Sequence, residues 1–220
     1  MTGQPPLDAP AVWNRWLVGL LVVTTLPELV LIGADFGLWG SNLWRDVAYA
    51  FGAFWSGLLD NWQPNYAIQP YSMFLTYAFL HAGITHLVLN MLTLVTLGRL
   101  TLERTHQFGF LLIYFASVIG GGFGFALLSQ INQPMVGASG GLFGLAGYVV
   151  IWNISVAWRR VPRADRWRAL RVYLLTPIAF MIAIHPVLYL LTGYPIAWET
   201  HLGGFLTGAA LALLMRKPGP

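Results

Sequence analysis

The sequence predicts an all-α polytopic membrane protein: six transmembrane helices in one domain over residues 1–220, with a long interfacial loop after the first helix. Three observations predict it. Hydrophobic residues make up 57% of the chain and charged residues only 9%, where an average soluble domain carries about 25% charged. Mean hydropathy is +0.64 over 220 residues, which leaves room for about six spans of ~20 residues with their loops. Finally, the basic residues fall into alternate loops. Six spans put the N-terminus, the second–third loop, the fourth–fifth loop and the C-terminus on one side. Those segments hold eleven of the twelve basic residues: Arg15, Arg99, Arg104, Arg159, Arg160, Arg163, Arg166, Arg168, Arg171, Arg216 and Lys217. Only Arg45 lies elsewhere. Basic loops stay in the cytoplasm, so both termini are expected there.

Composition also excludes. With no cysteine there is no disulfide framework, no thiolate nucleophile and no Cys-based metal site. The arginine run from Arg159 to Arg171 resembles a nucleic-acid patch only out of context; between two apolar spans it is a topology signal, and no nucleic-acid partner is expected. The N-terminal apolar run follows one early basic residue, Arg15, and has no small-x-small cleavage site after it. It reads as an uncleaved span.

In chain order, the first span covers about residues 16–32. The connection from Gly33 to His81 is long. Within it Trp44, Val47, Phe51, Phe54, Trp55 and Leu58 recur at helical steps. Asp46, Asp60 and Asn61 interrupt the run, so it is expected to form an interfacial helix with aromatic anchors rather than a span. The remaining spans are expected at 85–102, 110–128, 139–158, 170–191 (with Pro177 and Pro186 inside) and 202–215.

Polar residues at membrane depth ask for a reason. Gly137-Ala138-Ser139-Gly140 opens the fourth span and His201 opens the sixth. A serine is a poor nucleophile until a base within hydrogen-bond reach takes its proton, and histidine is the usual base. Gly140, Gly144 and Gly147 give the fourth helix a face without bulk; Gly204, Gly208 and Ala212 do the same for the sixth. Such small-xxx-small stripes let helix backbones approach closely in lipid. If the two stripes face each other, Ser139 and His201 meet at the head of the same contact. Each stripe taken alone is more often a plain packing motif.

His86 and Asn90, four apart, share one face of the second helix. Both can donate hydrogen bonds to the oxygen that gains negative charge in acyl transfer, and a serine at a helix N-terminus adds a free backbone N–H. Interhelical hydrogen bonding is the other reading of this pair. His81 lies off that face and is expected to cap or pack the loop. No HExxH pattern or carboxylate in register supports a metal site on His81, His86 and His201, so neither metal nor cofactor is expected. Glu28 either pairs across helices or snorkels outward. Glu199, two residues before His201, is not assigned to the catalytic group, and His185 before Pro186 marks a kink. Phe143, one turn after Ser139, can lie beneath an imidazole held over the serine.

Three segments together resemble the rhomboid family of intramembrane serine proteases: Gly137-Ala138-Ser139-Gly140-Gly141-Leu142-Phe143-Gly144, Ala197-Trp198-Glu199-Thr200-His201-Leu202-Gly203-Gly204, and Phe79-Leu80-His81-Ala82-Gly83-Ile84-Thr85-His86 with Asn90. They occur in the family's order, and the resemblance covers essentially the whole chain. It implies a six-helix rhomboid-like bundle and a Ser–His dyad without aspartate, Ser139 the nucleophile and His201 the base. His86, Asn90 and the Ser139 amide are the implied oxyanion hole, and Phe143 matches the aromatic on which the histidine stacks. The implied partners are the lipid bilayer and a transmembrane protein substrate, cut near its outer membrane boundary after lateral access past the fifth span. The expected location is the inner (cell) membrane of a bacterium. A non-catalytic rhomboid-like binder of transmembrane clients is the alternative. One departure stands out: many members carry Trp-Arg before the second span, and here Tyr71-Ser72 takes that place.

Overall fold

The computed structural model describes residues 14–130, 133–176 and 196–215, with positions 178, 179, 182, 183, 186, 189 and 190 between the last two stretches. The described secondary structure is helical, with one isolated bridge between Phe54 and Met135. Among the described residues, four helices are long and apolar enough to cross a membrane: α1 (Arg15–Asp35), α4 (Ile84–Leu102), α5 (Gln107–Leu128) and α6 (Ser139–Arg160). They fall on four of the six expected spans, extended by up to three residues at either end. The sixth expected span falls on α8 (Trp198–Leu214), a helix of 17 residues. At 1.5 Å per residue it is about 26 Å long. Of the fifth, only the start is described continuously: α7 (Arg166–Leu170) running on through Arg171–Leu175. Pro177, His185, Arg216 and Lys217 lie outside the described residues.

Sequence periodicity explains which way each helix faces. In α1, Leu17, Leu20, Thr24, Glu28 and Leu31 recur every three or four residues and are buried, while Val22, Val23, Leu26, Leu29 and Val30 are exposed. A wall of exposed valine and leucine is an aggregation hazard in water and the natural surface in lipid. This is an integral membrane protein.

The core is built around α8, which packs closely on α5 and α6. A Cβ added at Gly204 would run into the Gly140 carbonyl, and one at Gly208 into the Gly144 carbonyl. Those matched steps make α6 and α8 run parallel. Gly203 makes the same kind of approach to Gly120 and Gly124 of α5. So α8 presents two adjacent glycine faces, and the one toward α5 has no counterpart in the sequence reading.

The loop from α1 to α4 departs from expectation. Its first helix, α2 (Trp44–Gly52), stops before Phe54. Phe54 leaves the helical face because its backbone N–H and C=O both pair with Met135, each at 3.0 Å. Its ring is fully buried, edge-on to Phe74, Tyr77 and Phe125. It is therefore a core residue and no membrane anchor. The exposed Trp44, Val47 and Phe51 do form an apolar outer face on α2. The loop continues through α3 (Gln69–Thr76) and a 3-10 turn at Tyr77–Phe79.

At the Tyr71-Ser72 departure, Tyr71 is exposed and the Ser72 Oγ lies 2.8 Å from the Tyr66 hydroxyl. Other bonds hold the loop: Gln69 Nε2 donates to the Ala50 carbonyl (2.6 Å) and Thr76 Oγ1 to the Gly52 carbonyl (2.7 Å).

Candidate active site

The ends of the helices separate two chemistries. Arg99, Arg104, Arg159 and Arg160 sit at the C-terminal ends of α4 and α6. Arg104 lies over the Trp152 ring and faces Asn153. At the opposite ends, the first turns of α4, α6 and α8 carry His86, Ser139 and His201.

Ser139 is the first residue of α6 and half-buried. The backbone N–H groups of a helix's first turn have no partner inside the helix, so its amide is free of α6. Gly137 makes the approach turn at φ +125°, a conformation that favours glycine. Its N–H donates to the Tyr77 carbonyl at 3.0 Å. Tyr77 is buried, and its hydroxyl donates to Val118 of α5 at 2.7 Å. One tyrosine thus ties the serine turn to the loop and to α5. Nothing in its sequence position singles it out.

His201 is buried in the first turn of α8. Its imidazole stacks on Phe143, one turn after Ser139, with centroids 3.9 Å apart and planes 7° from parallel. Together with the Gly140–Gly204 approach, this puts His201 and Ser139 at the head of the same helix pair. Thr200 fills the space beside them, its methyl against Gly140 and Gly121.

His86 and Asn90 converge over the serine turn from α4. A Cβ at Gly137 would fall 2.9 Å from His86 Nε2 and 3.9 Å from Asn90 Nδ2. The Ala82 N–H donates to His86 Nδ1 at 3.2 Å, so the neutral ring carries its proton on Nε2. That N–H points toward Gly137. Asn90 also donates back to the His86 carbonyl at 3.0 Å.

His81 is fully buried in the turn before α4, edge-on to His86 at 5.1 Å. Burial, with His86 and Arg45 nearby, pushes its pKa down to about 3. Among the described residues, no group of three or more metal-ligating side chains is close enough to hold an ion. Glu199 is buried.

An apolar cavity of about 790 Å³ opens against this arrangement. Phe143, Ile178, Ile182, Tyr189 and Phe205 line it, and His201 stands on its wall.

Residues 69–218 match the Rhomboid domain. The chain belongs to the rhomboid family. Similar proteins include Rhomboid-like protease 1 of Toxoplasma gondii, 29% identical over 203 residues, covering 92% of this chain and 61% of that protein. RHOMBOID-like protein 2 of Arabidopsis thaliana is 38% identical over 146 residues, covering 64% and 41% of the two chains. Rhomboid-related protein 3 of Homo sapiens is 30% identical over 152 residues, covering 66% and 36%. The rhomboid chain described here thus spans between about a third and three fifths of these relatives' lengths. All three are eukaryotic proteins, so they lend no support to a bacterial inner membrane.

Proposed function

We propose that this rhomboid is an intramembrane serine endopeptidase that cuts transmembrane helices of other membrane proteins near the outer membrane boundary. Its six spans put both termini in the cytoplasm. The observation that carries this reading is the stacked Phe143–His201 pair at the head of the α6–α8 contact, one turn from Ser139.

The chemistry follows from the side chains. His201 takes the proton of the Ser139 hydroxyl as the oxygen attacks the substrate carbonyl. The carbonyl oxygen becomes an oxyanion, held by His86 Nε2–H, the Asn90 amide and the Ser139 N–H. His201 then returns the proton to the leaving amine. A water, deprotonated by the same imidazole, hydrolyses the acyl-enzyme and frees Ser139. The apolar cavity beside His201 suits a substrate that arrives from lipid, since an unwinding helix brings apolar side chains with it.

A fluorophosphonate probe tests the reading. It should label Ser139 in the wild type, and neither labelling nor cleavage of a reporter transmembrane substrate should survive Ser139→Ala, because losing such a nucleophile costs roughly 10⁶ in rate. Cleavage by Ser139→Ala above about one percent of wild type would sink the assignment, being far above that expected residue. A binder of transmembrane clients would retain its client and label in neither form.

A further inference from the structure

Glu28 lies in the middle of a lipid-crossing helix, yet it is a carboxylate with no exposed surface. Arg45 is the one basic residue outside the cytoplasmic segments of the six-span topology. The two explain each other. Arg45 Nη1 lies 2.8 Å from Glu28 Oε1, and its Nη2 lies 2.6 Å from Asp35 Oδ2. Buried charges are tolerated where they are paired and hydrogen-bonded; apart from a second bond from Arg45 Nε to Asp35 Oδ2 at 2.8 Å, the remaining bonds of this pair run to one short stretch of backbone.

That stretch is the turn entering α4. Glu28 Oε2 accepts the His81 N–H and Oε1 the Gly83 N–H, each at 3.1 Å. Arg45 Nη1 and the Tyr49 hydroxyl both donate to the His81 carbonyl at 2.8 Å. The pair therefore grips donors and acceptor of residues 81–83 together. Between the gripped residues lies Ala82, whose N–H fixes Nδ1 of His86. Gly83, at φ +88°, then starts the helix.

We infer that the Glu28–Arg45 pair is a positioning device for the oxyanion hole: it holds the 81–83 turn so that the Ala82 amide orients His86 with Nε2–H toward the serine turn. Neither residue touches substrate; both act through His86. The inference rests on the endopeptidase reading, and specifically on His86 as an oxyanion donor. A donor aimed in advance costs no reorganisation during the reaction, which is where such groups draw their effect. Loss of aim therefore lowers turnover and leaves substrate affinity alone.

The test uses Glu28→Gln and Arg45→Lys in the full chain, with kcat and KM for a reporter transmembrane substrate measured below each variant's melting temperature. Glutamine keeps the shape and loses the charge. Lysine keeps the charge but lacks the fork that reaches Glu28, Asp35 and the His81 carbonyl together. Each should lower kcat about tenfold to a hundredfold, below or near the cost of deleting one oxyanion donor, with KM within about twofold. In a His86→Ala background either change should cost less than about twofold more, because residues acting as one unit are not additive. Full turnover in Glu28→Gln or Arg45→Lys would overturn the inference. So would a loss that multiplies unchanged in the His86→Ala background, the mark of a merely structural pair. If Glu28→Gln does not fold, Arg45→Lys decides by the same two criteria. If His86→Ala alone leaves turnover intact, the oxyanion assignment fails first, which separates the two failures.

Discussion

The ring of Phe143 lies flat against the imidazole of His201, 3.9 Å between centroids. Phe143 is held by α6 and His201 by α8, so the stack converts a helix–helix contact into an orientation of one side chain. An aromatic stack is worth about 0.5–1.5 kcal/mol beyond area burial. Phe143→Leu keeps an apolar side chain and removes the flat surface. Its kcat should fall roughly two- to tenfold, since ~1.4 kcal/mol is a factor of ten, whereas Phe143→Tyr should stay near wild type. Equal kcat for the leucine variant would detach the stack from catalysis.

Gly137 is a position where the backbone itself meets His86 and Asn90. Alanine there would be strained at φ +125° and would place its methyl 2.7 Å from His86 Cε1. The ring or the turn must shift. A displacement of ~1 Å in a catalytic constellation can cost ~10²-fold, so Gly137→Ala should lose about that much kcat while still inserting in the membrane. Gly19 serves as the control: a Cβ there meets nothing within 4 Å, and Gly19→Ala should keep full activity and, by helix propensity, gain a few tenths of a kcal/mol.

Gly204→Leu tests the α6–α8 contact. Any Cβ at Gly204 runs into the backbone of Gly140, and backbone cannot move aside as a flexible side chain does. The helices must part, and His201, one turn earlier on α8, moves with them. Cleavage should collapse although Ser139 and His201 both remain, and insertion should survive because hydrophobicity rises. Leu213 is exposed on α8 and does not line the apolar cavity, so Leu213→Phe should be mild. An active Gly204→Leu enzyme would show that the helix contact does not set the distance between serine and histidine.

His81 predicts an acid lability. Its pKa is pushed down to about 3 from the ordinary 6.5, by burial first and then by the neighbouring His86 and Arg45. The unfolded chain binds the extra proton below about 6.5 and the folded chain only near 3, so stability falls with pH across that window and is untouched above it. The melting temperature of the wild type should drop on acidification from pH 6.5 toward 4. His81→Phe should flatten part of that drop and cost little at neutral pH, because neither His81 ring nitrogen has a hydrogen-bond partner among the described residues. Parallel pH profiles for the two proteins would count against it.

The sequence by itself determined the class of solvent and the positions of four of the helices along the chain. Apolar runs of about twenty residues have one stable form in lipid, a helix with every backbone group satisfied internally, and α1, α4, α5 and α6 lie where such runs stand. It also marked the residues able to do acyl chemistry, because serine, histidine and asparagine at membrane depth are costly enough to stand out. The tertiary structure alone decided how those residues are aimed. Glu28 and Arg45 lie 17 positions apart, in a span and a loop, and no local period links them; they meet because α2 folds back onto α1. Tyr77 reads as one aromatic among many until Gly137 and Val118 are seen to bond to it. Phe54 follows a helical spacing in the sequence, yet its backbone pairs with Met135, and that long-range pairing ended α2 two residues before it. Spacing reports what a chain does with its neighbours along the sequence; aim is set by backbone atoms that approach from elsewhere.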